Sequence, residues 1–317
     1  MPTFYINHLT KYTYSNTVID GANKILLYPI NDAFQKVTAQ KININTNPFI
    51  ETHQDYFNNK VGTFMIVEPH SMLIIESEIE VDVYPRMFPK DSIQANLQWE
   101  ELKKISKETA FIDFLKFKPF SGTQEVQLFL DTFDKNVTTP YQFLQQLSSF
   151  IFNEFKYIKG ITTVNTTLDE VWKIKSGVCQ DFTNFMLQAT KMMGIPVRYV
   201  SGYLCPYDAI SRGEGATHAW IEAYIPNYGW LGFDPTNNII ATEHHVRLAI
   251  GRDYNDCSPV KGVFRGKVKD TLEVIVTVDT IKKFKEKQPI FELTDSFKDA
   301  NRYQKNLEIL QQHQQQQ

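Results

Sequence analysis

No part of this 317-residue chain approaches the roughly 18 consecutive apolar residues that a membrane helix requires; its longest apolar stretches are broken by Lys, Asn or Glu. No spanning helix is expected. The N-terminus, Met-Pro-Thr-Phe-Tyr-Ile-Asn-His, has neither a basic n-region nor an apolar h-region, so no secretory signal is visible and the cytoplasm is the expected compartment. Only three cysteines are present, Cys179, Cys205 and Cys257, widely spaced and without a C-x-x-C, which excludes a disulfide framework and leaves free thiols. Charge of one sign is also missing: 33 Lys+Arg nearly balance 36 Asp+Glu, the net charge is -3, and no basic block stands out. That excludes a protein living on phosphate contacts and favours a polar or protein substrate. There is no Gly-rich phosphate loop and no EF-hand-type acidic loop, so neither nucleotide nor calcium is implied and no cofactor is expected. No internal repeat is apparent.

What remains is a globular composition, with 42% of residues hydrophobic, 22% charged and 13% aromatic, and a length that suggests about two domains. Phe4, Ile6, His8, Tyr12 and Tyr14 share one parity; Leu73, Ile75, Ile79, Val81 and Val83 share another, opposite Glu76, Glu78, Glu80 and Asp82. Such alternation marks half-buried strands. With shorter alternating pieces at 37–44 and 63–67, residues 1–85 read as a small antiparallel β-sandwich closed by Pro85 and Pro89. Residues 86–135 form a mixed connector, with a helical piece near 97–105 and helical spacing at Val126, Phe129, Leu130 and Phe133.

A helix opens at Pro140 behind Thr139, with Phe143, Leu144, Leu147, Ile151 and Phe155 as its stripe. Thr167-Leu168-Asp169-Glu170 has the form of a capping box, and the short helix it opens is interrupted at Gly177. Phe182, Phe185, Met186, Ala189 and Met193 then define a buried helix over 179–193 that stops at Gly194-Ile195-Pro196. Strand-like runs follow at 197–204, 217–225 and 230–234, with one more at 271–278, so residues 136–280 read as an α+β core and its C-terminal strands. Residues 281–317 are polar and Gln-rich, and read as a mobile tail.

Cys179 sits at the start of the most clearly amphipathic helix. There the backbone N–H groups and macrodipole favour a thiolate and can also hydrogen-bond an oxyanion, the two needs of a cysteine nucleophile. A thiolate used for acyl transfer also needs an imidazole to hold its proton, and the imidazole needs an orienting acceptor. His218 and Asp234, on the two strands of a predicted hairpin, can supply them. Isolated Cys, His and Asp are common, so spacing alone leaves open that Cys179 is a core residue, His218 a polar strand residue and Asp234 a turn former before Pro235. His244-His245 reads as a polar loop, since adjacent histidines point to opposite faces of a strand and suit no metal pair. His8, His53 and His70 look isolated. Asp181 suits the helix dipole, a structural role, and Trp220, Tyr203, Tyr224 and Tyr228 fit an aromatic core at least as well as a substrate cleft.

The local wording goes further. Gly177-Val178-Cys179-Gln180-Asp181-Phe182, with Gly194-Ile195-Pro196-Val197-Arg198-Tyr199 after it, resembles the core motif of the bacterial transglutaminase-like superfamily. Thr217-His218-Ala219-Trp220-Ile221-Glu222 resembles its histidine strand and Gly229-Trp230-Leu231-Gly232-Phe233-Asp234-Pro235 its aspartate strand, in the same order. Gly251-Arg252-Asp253-Tyr254, with Asp256 and Pro259, looks like the segment that follows the core, and residues 1–85 match the branch's N-terminal β-domain. Two departures are visible: Thr217 stands where the family often has a smaller residue, and the tail has no counterpart.

The resemblance implies a papain-like α+β core, with a cysteine helix packed on an antiparallel sheet and a β-domain before it. It implies Cys179 as nucleophile, His218 as general base then acid, and Asp234 as orienting acceptor, with no metal or other cofactor. The implied chemistry is attack on an amide of a protein or peptide and a thioester resolved by water or by an amine, with peptidase or amidase hydrolysis placed ahead of transamidation. Acetyl transfer to an arylamine lacks its characteristic cysteine motif here, and a non-catalytic binding module is the rival of another class.

Overall fold

The computed structural model describes residues 2–205, 212 and 217–282; the expected tail from 283 onward lies outside them. The chain begins with an unusually long strand, β1 (Thr3–Ile25), then β2 (Gln35–Ile44), β3 (Glu51–Gln54), β4 (Lys60–Ile66) and β5 (His70–Val83). The first half of β1 pairs antiparallel with β5, and after a register break near Val18 its second half pairs with β4. Phe64 and Ile66 from one half and Ile44, Leu73 and Ile75 from the other enter a single apolar cluster. Alternation along β1 and β5 drives this folding-over, because each strand has one apolar face to bury.

The connector carries α1 (Ala95–Ile105), α2 (Thr109–Leu115) and α3 (Thr123–Leu130). Next come α4 (Pro140–Glu154), β6 (Lys156–Tyr157), α5 (Leu168–Ile174), β7 (Ser176–Gly177) and α6 (Cys179–Met192). Both α4 and α5 start with complete capping boxes, Thr139 with Gln142 and Thr167 with Glu170. The second core sheet holds β8 (Val197–Leu204), β9 (Thr217–Ile225), β10 (Gly229–Asp234), β11 (Ile239–Ile240) and β12 (His245–Gly251), in the order β11-β10-β9-β8-β12. A short α7 (Tyr254–Cys257) leads to β13 (Val260–Arg265) and β14 (Asp270–Asp279).

These last two strands add to the first sheet, both antiparallel to β1, with Ile6 opposite Val278 and His8 opposite Val276. The strand expected at 271–278 thus exists, but it completes the N-terminal β-unit rather than extending the core's sheet. Sequence alternation gives a strand's faces, not its partner, which here lies about 270 residues away.

Helix α6 lies against one face of the second sheet. Phe182, Phe185, Met186 and Ala189 share a core with Ala219, Ile221, Ala223 and Ile225 of β9 and with Leu231 and Phe233 of β10. The stripe is interior as expected. Gly194 ends the helix at φ +80°, a left-handed position that glycine adopts without Cβ strain. The opposite face of β9 carries His218, Trp220 and Glu222, all nearly inaccessible.

β12, at one edge of that sheet, is gripped by the N-terminal unit. Gln35 donates from Nε2 to the Arg247 carbonyl (2.9 Å) and accepts from the Arg247 N–H (2.8 Å). Asn59 does the same for Ile250, at 2.7 and 2.9 Å. Two buried carboxamides thereby satisfy backbone groups that an edge strand leaves open. Asp32 adds a two-oxygen bridge to the Arg247 guanidinium, at 2.7 Å to each oxygen. No helix among the described residues is long and apolar enough to cross a membrane.

Candidate active site

The start of α6 is fixed by its first turn. Asp181 Oδ2 accepts the Val178 N–H (2.8 Å) and the Thr162 hydroxyl (2.6 Å), closing the N-terminal end of the helix on which Cys179 is the first residue. A Cβ at Gly177 would meet that carboxylate oxygen at 2.4 Å, so the residue two before Cys179 must be glycine for Asp181 to reach back. The expected structural role of Asp181 is thus visible, and burial pushes its carboxyl up. Parallel pairing of β6 with β7 brings Tyr157 opposite Gly177 at the same point. Cys179 is half-buried, whereas Cys205 and Cys257 are buried and burial pushes their thiols well above the ordinary range.

His218 and Asp234 meet across the β9–β10 hairpin. Ile221 pairs with Phe233, so the next residue, Asp234, comes opposite Trp220 and diagonal to His218 on the same face. His218 Nε2 lies 2.8 Å from Asp234 Oδ2, with both side chains sealed from solvent. Since a buried carboxylate can only accept, Nε2 carries the proton. Nδ1 has no hydrogen-bond partner among the described residues, and the Cys179 thiol is one of the groups that favour the charged form of this imidazole. Burial opposes charge on His218, but Asp234 and Cys179 outweigh it and lift the imidazole to about 10. Burial would likewise raise Asp234, and His218 and His245 reverse this, holding the carboxyl far below the carboxylate range. The Thr236 N–H (2.9 Å) and Asn237 N–H (3.3 Å) reach Oδ1, while Asn237 Nδ2 (2.9 Å) reaches Oδ2.

Sequence reasoning missed two partners of Asp234. Asn237 belongs to the turn after Asp234 and carried no distinct signal. His245 was expected in a polar loop; instead it opens β12, is buried, and sets Nε2 3.3 Å from Asp234 Oδ2 and its ring edge-on to Trp220 at 5.0 Å. The apolar alternation Val246, Leu248, Ile250 is the signal that could have identified this strand. His218, Asp234 and His245 place ligand atoms within 4.8 Å of one another, residue types a metal ion can use. Those Nε2 and Oδ2 atoms are already paired with each other and closed to solvent.

Of the aromatic candidates, Trp220 and Tyr203 are fully buried, and the Tyr203 hydroxyl binds His8 Nδ1 at 2.8 Å. His8, which looked isolated, therefore joins the N-terminal unit to β8. Glu222, three positions before Ile225, is buried among Arg198, Arg86 and Arg247. Burial would raise its carboxyl, but Arg198, Arg247 and Arg86 together hold it at about 2.

Comparison with known proteins bears on the family and the fold. Residues 129–235 match the core model of the transglutaminase-like superfamily, and residues 4–82 match the bacterial transglutaminase-like N-terminal region. Protein Rv2569c of Mycobacterium tuberculosis is 30% identical over 295 residues, covering 88% of this chain and 92% of the relative. A protein-glutamine gamma-glutamyltransferase of Pseudomonas aeruginosa is 25% identical over 169 residues, 50% of this chain but 23% of that protein. Among solved structures, a Cytophaga hutchinsonii protein provisionally described as a cysteine protease superposes with a TM-score of 0.69 at 19% identity, covering 90% of this chain and 92% of the other. That last likeness is one of fold. With both of its family models in order along the chain and a relative alike over nearly its whole length, the protein belongs to the transglutaminase-like superfamily, in the branch that carries the bacterial N-terminal region.

Proposed function

We propose that the chain is a cysteine-dependent acyl-transfer enzyme that hydrolyses amide bonds of a peptide or protein through a thioester on Cys179. The observation that carries this is the sealed 2.8 Å His218–Asp234 bond on an imidazole that also interacts with Cys179. Asp234 holds the Nε2–H tautomer, which leaves Nδ1 to exchange a proton with sulfur and leaving group. Cys179 Sγ attacks the carbonyl carbon, and the negative oxygen that forms is met by the Cys179 and Gln180 N–H groups, which have no intrahelical partner in the first turn. As the C–N bond breaks, protonated His218 gives its Nδ1 proton to the departing amine. Water then attacks the thioester, its proton passes to His218, and the acid and the cysteine are released.

A second reading, transamidation, is favoured by the name of the Pseudomonas relative. There a primary amine replaces water as the second nucleophile, and the chemistry at Cys179 is unchanged. The separating experiment is incubation with a mixed peptide library, with and without a primary amine, read by mass spectrometry. Hydrolysis predicts cleavage or deamidation insensitive to the amine; transamidation predicts amine incorporation. No change in any peptide, in wild type and Cys179→Ser alike, would refute both and favour a binding module.

A further inference from the structure

We propose that His245 is a positioning residue for the reaction: its Nε2–H braces Asp234 against His218, and the N-terminal β-unit sets it there through its grip on β12. This rests on the Cys179–His218–Asp234 reading above.

Three donors converge on one oxygen of Asp234, namely His218 Nε2 at 2.8 Å, Asn237 Nδ2 at 2.9 Å and His245 Nε2 at 3.3 Å. Both histidines must carry their proton on Nε2, because the acceptor is a buried carboxylate. For His218 that leaves Nδ1 to do chemistry. For His245 it leaves Nδ1 buried and, among the described residues, without a hydrogen-bond partner, so a second proton there would find no acceptor among them and would sit beside His218. His245 is therefore a neutral, permanent donor. Its effect on Asp234 is directional: the carboxylate cannot rotate about its Cβ–Cγ bond without breaking the bonds from both strands, so Oδ2 stays on the His218 axis. Sharing Oδ2 also weakens its pull on the His218 proton, because each added donor spreads the same negative charge.

His245 is the first residue of β12, and the next anchor is two residues on, where Gln35 holds the Arg247 backbone in both directions. Trp220 packs edge-on against the His245 ring and fixes its plane. A ring on an unsupported edge strand would not hold a 3.3 Å bond; here the support comes from another sheet.

The test uses the full chain labelled with 15N-histidine. In wild type, the Nε2–H resonances of His218 and His245 should both appear downfield of the amides and exchange slowly, beside that of the buried His8 ring. His245→Phe keeps a ring against Trp220 but removes the donor. It should lower kcat about 10- to 100-fold through loss of alignment, leave KM nearly unchanged, and move the His218 resonance further downfield. His245→Gln, which restores a neutral N–H, should recover most of the lost kcat. Unchanged kcat and an unmoved His218 resonance in a folded His245→Phe protein would overturn the proposal while the triad stands. So would absence of the His245 resonance from wild type, should His245→Phe fail to fold. Absence of the His218 resonance, or full activity in Cys179→Ser, would overturn the triad and the proposal together.

Discussion

His8 provides a quantitative test of how the N-terminal unit is joined to the core. Its ring is buried, Nδ1 is paired with the Tyr203 hydroxyl at 2.8 Å and Nε2 with Thr10 Oγ1 at 3.2 Å, and burial lowers the imidazole from 6.5 to about 4. In the unfolded chain this residue takes up a proton near pH 6.5; in the folded protein it refuses one until about pH 4. The folded pKa is the lower one, so the unfolded state binds more protons between those values and stability falls as pH falls. At about 1.4 kcal/mol per pH decade, the loss attributable to His8 reaches about 3 kcal/mol by pH 4. Above pH 6.5 it contributes no slope.

Other groups titrate in the same window, and His245, also lowered by burial, adds a slope of the same sign. The comparison therefore has to be a difference. Equilibrium urea unfolding of wild type and His8→Gln at pH 7.5, 6, 5 and 4 gives two stability curves whose separation isolates one residue. Glutamine can still reach Tyr203 but carries no titrating ring. The variant should be the less stable protein at pH 7.5, and the gap should shift in its favour by about 3 kcal/mol on reaching pH 4. A separation that stays constant within about 0.5 kcal/mol would refute the burial argument and the contact between β1 and β8 with it.

Mild iodoacetamide should modify Cys179 well before Cys205 or Cys257, both buried with thiols pushed up, and mass mapping of the alkylated peptides reads this directly. If either of the other two reacts first, the nucleophile assignment fails. Phe185→Ala empties a site packed against Trp172 and Phe155 and should cost about 3 to 5 kcal/mol with a lower Tm, whereas Cys179→Ser should melt like wild type while losing turnover. Glu222→Gln leaves Arg198, Arg86 and Arg247 without their shared anion and should cost about 3 to 5 kcal/mol in urea unfolding at pH 7. His218→Ala should lower kcat/KM at least about 100-fold, and the alkaline limb of the wild-type profile should lie near pH 10, where the imidazolium is lost, rather than near 6.5. The raised His218 value also stabilises the fold fully below pH 6.5, and that contribution fades as pH rises toward 10.

Much of this organisation was legible in the residues. Periodicity gave α6 and the strands β8, β9 and β10 nearly to the residue, since each has one apolar face and a turn or cap at its ends. Thr139 announced its helix with Pro140 behind it, and Thr167 did so through a capping box, because both are local devices complete within four residues. Cys179, His218 and Asp234 were picked out by motif wording, and the hairpin brings His218 to Asp234, as antiparallel neighbours can. What stayed hidden depends on partners distant in sequence. β14 reads as a strand anywhere, but only the assembled sheet shows that it lies beside β1. α2 buries none of its residues deeply and has no side-chain cap, so it left no stripe to read. His245 was missed although Val246, Leu248 and Ile250 alternate, because its own face, shared with Arg247, reads as the exposed polar face of a strand and is buried only by partners distant in sequence.

The central claim is covalent chemistry at Cys179, and intact-protein mass spectrometry of acid-quenched reactions tests it most directly. Mixed with a peptide amide that it turns over, wild-type protein should gain the mass of the acyl fragment; digestion should place it on Cys179; neutral hydroxylamine should remove it as a hydroxamate, as a thioester requires. His218→Ala should form the adduct at least about 100-fold more slowly, and Cys179→Ala should form none. Turnover that persists in Cys179→Ala, or an acyl group mapped to any other residue, would contradict the account.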